Sequence, residues 1–188
     1  MRQTIWLLML SCALSVASAA AQESKPGGAY AGEERRAIKS LSAEEVEGLL
    51  NGQGMGLAKA AELNHYPGPR HVLELATELQ LTPEQRTQTQ AAFDLMRGEA
   101  VRLGRLIVER ERALDAMFAQ GEIDAGKLRA ATSEIARLQG DLRAAHLAAH
   151  LEVRRLLSPQ QIKKYDELRG YAAGRKTGDG HAHAHGKH

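Results

Sequence analysis

The stretch AAHLAAHLEVRRLLSPQQ places His146 and His150 four residues apart in a segment with helical periodicity. Residues four apart lie on one face of an α-helix, so the two imidazoles can bind a single metal ion. Neutral imidazole nitrogen is a ligand for zinc, nickel, cobalt and copper ions. Two histidines beside an apolar stripe also fit surface or hydrogen-bonded side chains, and this alternative stays open.

The first residues predict a secretory signal peptide over residues 1–21. Arg2 precedes an apolar run over residues 5–17, and small residues suited to cleavage follow it. The run is shorter than the roughly 20 residues that a membrane span needs. We therefore expect a secreted, periplasmic protein. Cys12, the only cysteine, leaves a lipoprotein signal as an alternative, although the preceding LMLS is a poor lipobox.

Composition restricts the class of the mature chain. The 25 basic and 23 acidic residues nearly balance, which argues against a nucleic-acid partner because such a partner requires a concentrated basic field. Cleavage of the signal leaves no cysteine for a disulfide or for redox chemistry. The sequence contains no Ser/His/Asp set and no phosphate-binding glycine loop, so we expect no enzyme. Abundant Ala, Leu, Arg and Glu with few aromatics predict an all-α fold.

Turn and capping signals divide the mature chain into four parts. Residues 22–40 lack periodicity and are predicted to be a disordered arm. Short helices are expected over residues 41–65, the first starting at Ser42 as N-cap with Glu45 three residues later, the second covering about 56–63. A third helix is expected from the YPGP break to about residue 79, at the start of a hairpin domain over 66–172. Residues 173–188 form a Gly-rich, His-rich tail that is not expected to fold.

The hairpin domain contains two long helices and a final short one. The first opens at LTPEQ, with Thr82 as N-cap and Gln85 reaching back, and runs to about residue 118. The second begins near Asp124. LSPQQ then repeats the start signal with Ser158 and Gln161. The prediction is an antiparallel long-helix hairpin with short flanking helices, and its broad apolar faces favour a homodimer.

The hairpin geometry predicts which residues lie at the same height. Both helices advance about 1.5 Å per residue, so positions lie level when their numbers sum to about 243. Leu81 and Ile162 should then meet at the open end of the hairpin. Each capping motif alone would be explained as a well-formed helix start, an account that does not explain why the two motifs coincide in space.

The same arithmetic brings four candidate ligands to one band of the hairpin. His146 and His150 face positions near 97 and 93, and the third helix places His71 near position 90. Glu99 lies in the apolar stripe of the first long helix, and an unpaired buried carboxylate is costly. Helical side chains lean toward the N-terminus of their helix, so His71, Glu99, His146 and His150 should converge.

Ion pairs are the alternative for two of the charged stripe residues. Glu99 can pair with Arg102 or Arg143 instead of binding a metal. Arg110 is expected to pair with Glu134 or another nearby acid, or to extend to solvent.

The two motifs LTPEQ and LSPQQ resemble the twice-repeated LTxxQ motif of the periplasmic Spy/CpxP family, with Ser for Thr in the second copy. The resemblance covers about residues 66–171. Segments such as GMGLAKAAELNHYPGPRHVLELATEL look most like the heavy-metal sensor and resistance branch, which includes CnrX-like and ZraP-like proteins. This resemblance implies a helical hairpin, commonly dimeric, that binds transition metals or unfolded proteins without ATP.

The CnrX-like branch also implies a ligand set. It uses histidines of the first helix, a glutamate of the second and a pair four apart on the third, which carries over to His71, Glu99, His146 and His150. The N-terminal histidine pair of the branch is represented by His71 alone, with His65 across a proline break, and His150 stands where a methionine can occur. Such N/O ligands suit Zn, Ni, Co or Cu(II), without choosing among them.

The C-terminal HAHAHGKH adds four imidazoles that could bind an ion weakly, for loading or buffering. An inert solubilising tail is the alternative. These tail histidines are His181, His183, His185 and His188.

Two functions of different class follow. The first is a periplasmic heavy-metal-binding sensor or resistance protein, with a membrane-bound signalling protein as a further partner. The second is an ATP-independent chaperone that binds unfolded client proteins. The histidine cluster favours the first, because a chaperone alone does not need it.

Overall fold

The computed structural model describes residues 28–171. The predicted signal peptide, the first residues of the predicted arm and the tail histidines lie outside them. Gly28–Ala31 belong to a separate unit, and the chain from Gly32 onward forms the compact unit considered below. The described part is all-α, as predicted, and contains a single 3₁₀ turn (Glu33–Arg35) and six helices: α1 (Ala43–Leu50), α2 (Lys59–Glu62), α3 (Pro69–Glu74), α4 (Pro83–Ala119), α5 (Ala125–Leu156) and α6 (Pro159–Arg169).

The predicted helix starts are confirmed. Ser42, Thr82 and Ser158 each form a complete capping box with the residue three positions later. In each box the hydroxyl accepts a backbone N–H, and the Glu or Gln side chain accepts the N–H of the cap residue. Asp124 caps α5 by accepting the N–H of Lys127. The long hairpin therefore begins and turns where local sequence indicates.

One hydrophobic cluster joins α1 to the middle of the hairpin. Gly104 allows this contact, because a Cβ at this position would overlap the main-chain carbonyl oxygen of Leu49 in α1. Leu41 and Val46, at the two sides of the first cap, both pack against the cluster. The buried members are Ile38, Leu49, Ala100, Leu103, Ile107, Val108, Leu138 and Leu142.

A second cluster closes the open end of the hairpin. Leu81 and Ile162 both pack against it, which confirms that the two motifs meet. Its buried members are Val72, Leu79, Val153, Leu157 and Tyr165.

The glutamines of the two motifs bind each other above this cluster. The Gln85 and Gln161 amides form a reciprocal pair, each Nε2 lying 2.9 Å from the other Oε1. Gln85 also donates to the Leu156 carbonyl at 2.7 Å, and Gln161 donates to the Leu79 carbonyl at 3.1 Å. Each glutamine therefore caps its own helix and ties the two helix starts together, which explains why the motif occurs twice.

Two short helices are shorter than the sequence predicts. α2 is one turn, and α3 ends at Glu74 instead of near residue 79. Each segment ends with a residue in the left-handed region, His65 (φ 66°) after α2 and Gln80 (φ 51°) after α3. In both cases the N–H of the following residue donates to the carbonyl five positions earlier in the chain. This is a Schellman closure, usually made with glycine, which is why sequence did not indicate it.

The tip of the hairpin is thinly covered. Arg110 pairs with Glu134 across the two long helices at 2.9 Å, as expected. Beyond this pair, Phe118 and Leu128 are exposed. Within residues 28–171, no helix is both long enough and apolar enough to span a membrane.

Candidate metal site

A cavity of about 530 Å³ lies beside α3 and the C-terminal half of α5. This volume is within the range of about 300–1,000 Å³ usual for small-ligand sites. Three of the four predicted ligands, His71, His146 and His150, line it, together with Glu62 and Met96. The cavity is therefore where the predicted imidazoles come together.

His146 is buried in α5 with a free ring nitrogen. It is 4% exposed, and its Nε2 atom has no hydrogen-bond partner among the described residues. Burial, followed by the neighbouring His150, lowers the pKa of the His146 imidazole. The ring is therefore held neutral near pH 7, and a neutral imidazole has a nitrogen lone pair that can bind a metal ion.

His150, one turn later, is oriented by the loop before α3. It is 7% exposed, and its Nδ1 atom lies 2.7 Å from the Tyr66 carbonyl oxygen. A carbonyl only accepts, so Nδ1 carries a proton, and the tautomer that this bond selects is the one with its lone pair on Nε2. Metal-binding histidines commonly have such a hydrogen bond on the other ring nitrogen. Gly68 makes room for the ring, since a Cβ there would lie 2.9 Å from Cε1.

His71 reaches the cavity from α3. Its Nδ1 atom lies 3.6 Å from a carboxylate oxygen of Glu62. Burial and the Arg169 guanidinium lower the pKa of His71, while Glu62 opposes them. This imidazole is therefore also kept neutral, although it is more accessible than the two on α5.

Glu62 is the carboxylate of the cavity, and sequence reasoning missed it. Its Oε1 accepts from the hydroxyls of Tyr165 and Tyr171, the latter at 3.1 Å, and lies 3.6 Å from Arg169 Nε. Its Oε2 is 3.7 Å from His150 Nδ1. Burial raises the pKa of Tyr165, and the hydrogen bond to Glu62 raises it further, so that phenol stays a neutral donor. No spacing rule indicates this residue, because the one-turn helix α2 is positioned by its tertiary contacts.

Glu99 lies apart from the three histidines. Its carboxylate binds Arg102 with two hydrogen bonds of 2.6 and 2.8 Å, and its side chain is 42% exposed. The hydrogen bond from Arg102 lowers the pKa of Glu99. The ion pair that the sequence left as an alternative is the arrangement found, and Glu99 does not line the cavity. The three histidines therefore line one cavity, whereas Glu99 does not join them there.

His65 has a different role. Its Nδ1 atom lies 2.7 Å from Asp166 of α6, and its carbonyl accepts from Arg154 of α5 at 2.6 Å. The Arg154 guanidinium also stacks on the Tyr66 ring, 4.6 Å from its centre. These contacts hold the loop whose carbonyl orients His150.

The donor set fits a transition-metal ion in chemistry but is not arranged as a chelate. Within the described 28–171 segment, no group of three or more His, Cys, Asp or Glu side chains has a metal-holding arrangement. The cavity nevertheless offers neutral imidazoles, an adjacent carboxylate and the Met96 thioether, which are suitable donors. Side-chain rotation would be needed to bring three of them to one ion.

A family profile described as heavy-metal resistance matches residues 54–164. The chain belongs to this heavy-metal resistance family. The matched segment begins before α2 and ends within α6, so it includes Glu62, His71, His146 and His150. No significant match to a curated protein or to a solved structure accompanies it. The matched segment therefore includes the ligand candidates and most of the residues that line the cavity.

Proposed function

We propose that this member of the heavy-metal resistance family binds a divalent transition-metal ion through His146 and His150, with His71 as a third nitrogen ligand. The observation that carries the proposal is the buried histidine pair on one face of α5. One ring leaves Nε2 unpaired among the described residues, and the other is oriented by a backbone carbonyl. A buried polar atom without a partner costs free energy, and coordination would remove that cost.

The carboxylate of the proposed site is Glu62 instead of Glu99. Glu62 is the acid near both His71 and His150, whereas Glu99 is neutralised by Arg102. Zn, Ni, Co and Cu(II) all accept imidazole and carboxylate ligands, so the donor types admit each of them. The ion would supply a positive charge next to Glu62 and thus compete with Arg169 and the two phenols for that carboxylate.

The test compares metal-induced melting shifts in the full chain. An ion that binds only the folded state stabilises it by about 2.7 kcal/mol at one hundred times its dissociation constant. We expect His146→Ala together with His150→Ala to abolish the part of the shift due to the cavity. Glu62→Gln should weaken it, and the matched Glu99→Gln should leave it unchanged.

The metal-induced shift of each variant is measured relative to the melting temperature of the same variant without metal, because Glu62→Gln also disturbs the contacts with the two phenols. A shift in the double histidine variant as large as that of the wild type, for all four metals, would contradict the site. A Glu99→Gln effect equal to that of Glu62→Gln would contradict the choice of carboxylate.

We further propose that the protein works in the periplasm as a homodimer that senses or buffers the ion, and that it contacts a membrane-bound signalling protein. The signal-like residues 1–21 support the location. Exposed leucines on the long helices support association with a second copy. Sedimentation showing only monomer across micromolar concentrations would contradict the dimer.

Exposed apolar side chains also favour the chaperone alternative. Leu95 on α4 is 79% exposed and Leu151 on α5 is 57% exposed. Isolated exposed leucines are ordinary, but two of them on neighbouring long helices could contact unfolded segments. If chaperoning is the main role, Leu95→Gln with Leu151→Gln should reduce suppression of aggregation of a heated client enzyme, and His146→Ala should not. Equal suppression by wild type and the leucine variant would remove this support.

A further inference from the structure

The cavity is larger than a metal ion needs. Its volume is about 530 Å³, whereas an ion with four waters takes up roughly 120–150 Å³ at about 30 Å³ for each water. The cavity imidazoles also leave room around an ion, because transition-metal sites often have four ligands and fill an open position with water or a substrate. A small molecule can therefore bind next to the ion.

Basic side chains outnumber acidic ones around the cavity. Lys59, Arg70 and Arg97 line it, and Glu62 is the acid among the described residues that do so. Arg70 pairs with Glu74 at 2.9 Å. Lys59 and Arg97, in contrast, form no ion pair within residues 28–171. Their positive charges are therefore available to an anion in the cavity.

Glu62 does not offset the charge of a bound ion. Its Oε1 atom accepts from the two phenols and lies 3.6 Å from Arg169 Nε. The cavity imidazoles are neutral ligands, so a divalent ion held by them adds two positive charges to a site that is already positive. Like charges at short distance repel each other. An anion beside the ion would remove this repulsion.

The basic side chains and the imidazoles approach the cavity from different elements. His71 lies on α3 and the buried His146 and His150 on α5, whereas Lys59 begins α2 and Arg97 lies on α4. The loop over residues 51–56 lines the cavity between the two basic residues. A Cβ at its second residue, Gly52, would lie 3.2 Å from the Arg97 carbonyl oxygen, and a Cβ at Gly56 would lie 3.7 Å from Lys59 Nζ. An anion in the cavity can therefore contact the ion and both basic side chains.

Carboxylate oxygens suit both kinds of partner. Divalent transition-metal ions bind carboxylate oxygens at about 2.0–2.2 Å. A guanidinium group forms two parallel hydrogen bonds with a carboxylate, and an ammonium group attracts it as a point charge. An anion with two carboxylates can give one to the ion and the other to Arg97 and Lys59.

We propose that the cavity binds the divalent ion together with a small dicarboxylate, of which one carboxylate ligates the ion on His146 and His150 and the other binds Arg97 and Lys59. This inference rests on the proposed function, since it concerns the same ion. It makes the ligand of the cavity a metal–dicarboxylate pair instead of a bare ion.

The experiment measures the affinity of the full chain for Co(II) in malonate, acetate, phosphate or chloride at equal ionic strength. A metal buffer fixes the concentration of free Co(II), so that binding of the ion by malonate in solution does not affect the result. We expect malonate to tighten Co(II) binding by at least about fivefold relative to chloride. Co(II) should tighten malonate binding by the same factor in calorimetry, because the coupling is reciprocal. Acetate, which has one carboxylate, should have a smaller effect.

The basic residues are tested by Lys59→Gln together with Arg97→Gln. In chloride this variant should bind Co(II) as tightly as the wild type or more tightly, because two repelling charges are gone. The gain due to malonate should disappear. Arg112→Gln with Arg129→Gln is the matched control, since both arginines are exposed, do not line the cavity and have no ion pair in the described segment. It should keep the full gain.

The double His146→Ala and His150→Ala variant separates this inference from the proposed function. Co(II) binding that depends on these histidines but is not tightened by malonate would overturn the inference and leave the proposed function standing. A malonate gain that persists without Lys59 and Arg97 would overturn the assigned anion ligands, and an equal gain in acetate or phosphate would overturn the dicarboxylate. Unchanged Co(II) binding in the histidine variant, or none in the wild type, would overturn both proposals.

Discussion

The paired glutamines of the two capping motifs offer a sharp test of how this hairpin is held closed. Gln161→Ala removes four hydrogen bonds, namely the cap to the Ser158 N–H, the bond to the Leu79 carbonyl and two with Gln85. Gln85→Ala also removes four, because its amide has the equivalent contacts. The two substitutions share the reciprocal pair, so their effects on stability should not be additive.

The expected magnitude follows from these counts. A net hydrogen bond contributes about 0.5–1.5 kcal/mol, and water can replace part of the loss because both amides are only part-buried. We therefore expect each single variant to lose about 2–3 kcal/mol of the free energy of unfolding. The double variant should lose about 1–2 kcal/mol less than the sum, since the two shared bonds are counted twice.

Urea unfolding of the four proteins in a double-mutant cycle measures this coupling. Gln90→Ala is the matched control, because Gln90 lies on the same helix with an exposed amide that bonds only Asp94; we expect a change within about 0.5 kcal/mol. An interaction energy near zero between Gln85 and Gln161 would refute the reasoning. The motif would then cap two helices independently.

Three other predictions concern stability. Gly104→Ala should lower the free energy of unfolding by about 1–3 kcal/mol, because the new methyl group would overlap a carbonyl of α1. Gly98→Ala, on the open face of α4, should instead raise it by up to about 1 kcal/mol. Thr82→Ala and Ser158→Ala each remove an N-cap and should lower the free energy of unfolding by roughly 1 kcal/mol. Unaltered melting temperatures in both variants would contradict the assignment of these residues as N-caps. Burial lowers the pKa of His146 in the folded state. As the pH falls, the unfolded chain therefore protonates this imidazole at a higher pH than the folded protein does. Without metal, the free energy of unfolding should therefore fall as the pH drops below about 6.5. His146→Leu should make this decrease smaller, as measured by urea unfolding at pH 5 and 7.5.

The hairpin could be predicted because its signals are local. A hydroxyl, a proline and a Glu or Gln three residues later determine a helix start whatever lies around them. The hydroxyl and the Glu or Gln occur at all three helix starts, before Ala43, Pro83 and Pro159, and the proline occurs at the last two. Histidine spacing on α5 is local in the same sense, which is why His146 and His150 were found together.

The error at Glu99 has a geometric cause. Counting residues along two antiparallel helices gives the height of a side chain, but its direction around the helix axis decides which surface it meets. Met96 and Arg97 of α4 line the cavity, yet the Glu99 carboxylate points to Arg102 one turn along the helix. A carboxylate can find such an (i, i+3) partner in any helix, so a residue in the apolar stripe is not required to reach the interior.

Glu62 could not be found for the opposite reason. Its position depends on the turn after α2, which is closed by His65 in the left-handed region, and on the contacts of Asp166 and Arg154 with that residue. These contacts join parts of the chain about one hundred residues apart. A sequence pattern read within one helix contains no information about them.

The tyrosines around the cavity are intrinsic spectroscopic probes of its surroundings. Trp6, the only tryptophan, lies in the predicted signal peptide, so in a chain cleaved after residue 21 the phenols would dominate the near-ultraviolet absorption and emission. Of the four tyrosines, Tyr165 and Tyr171 bond Glu62, and Tyr66 belongs to the loop that orients His150, which leaves only Tyr30 elsewhere. The intrinsic spectrum thus reports mainly on the surroundings of the cavity, and events there can be followed in the unmodified protein without a dye.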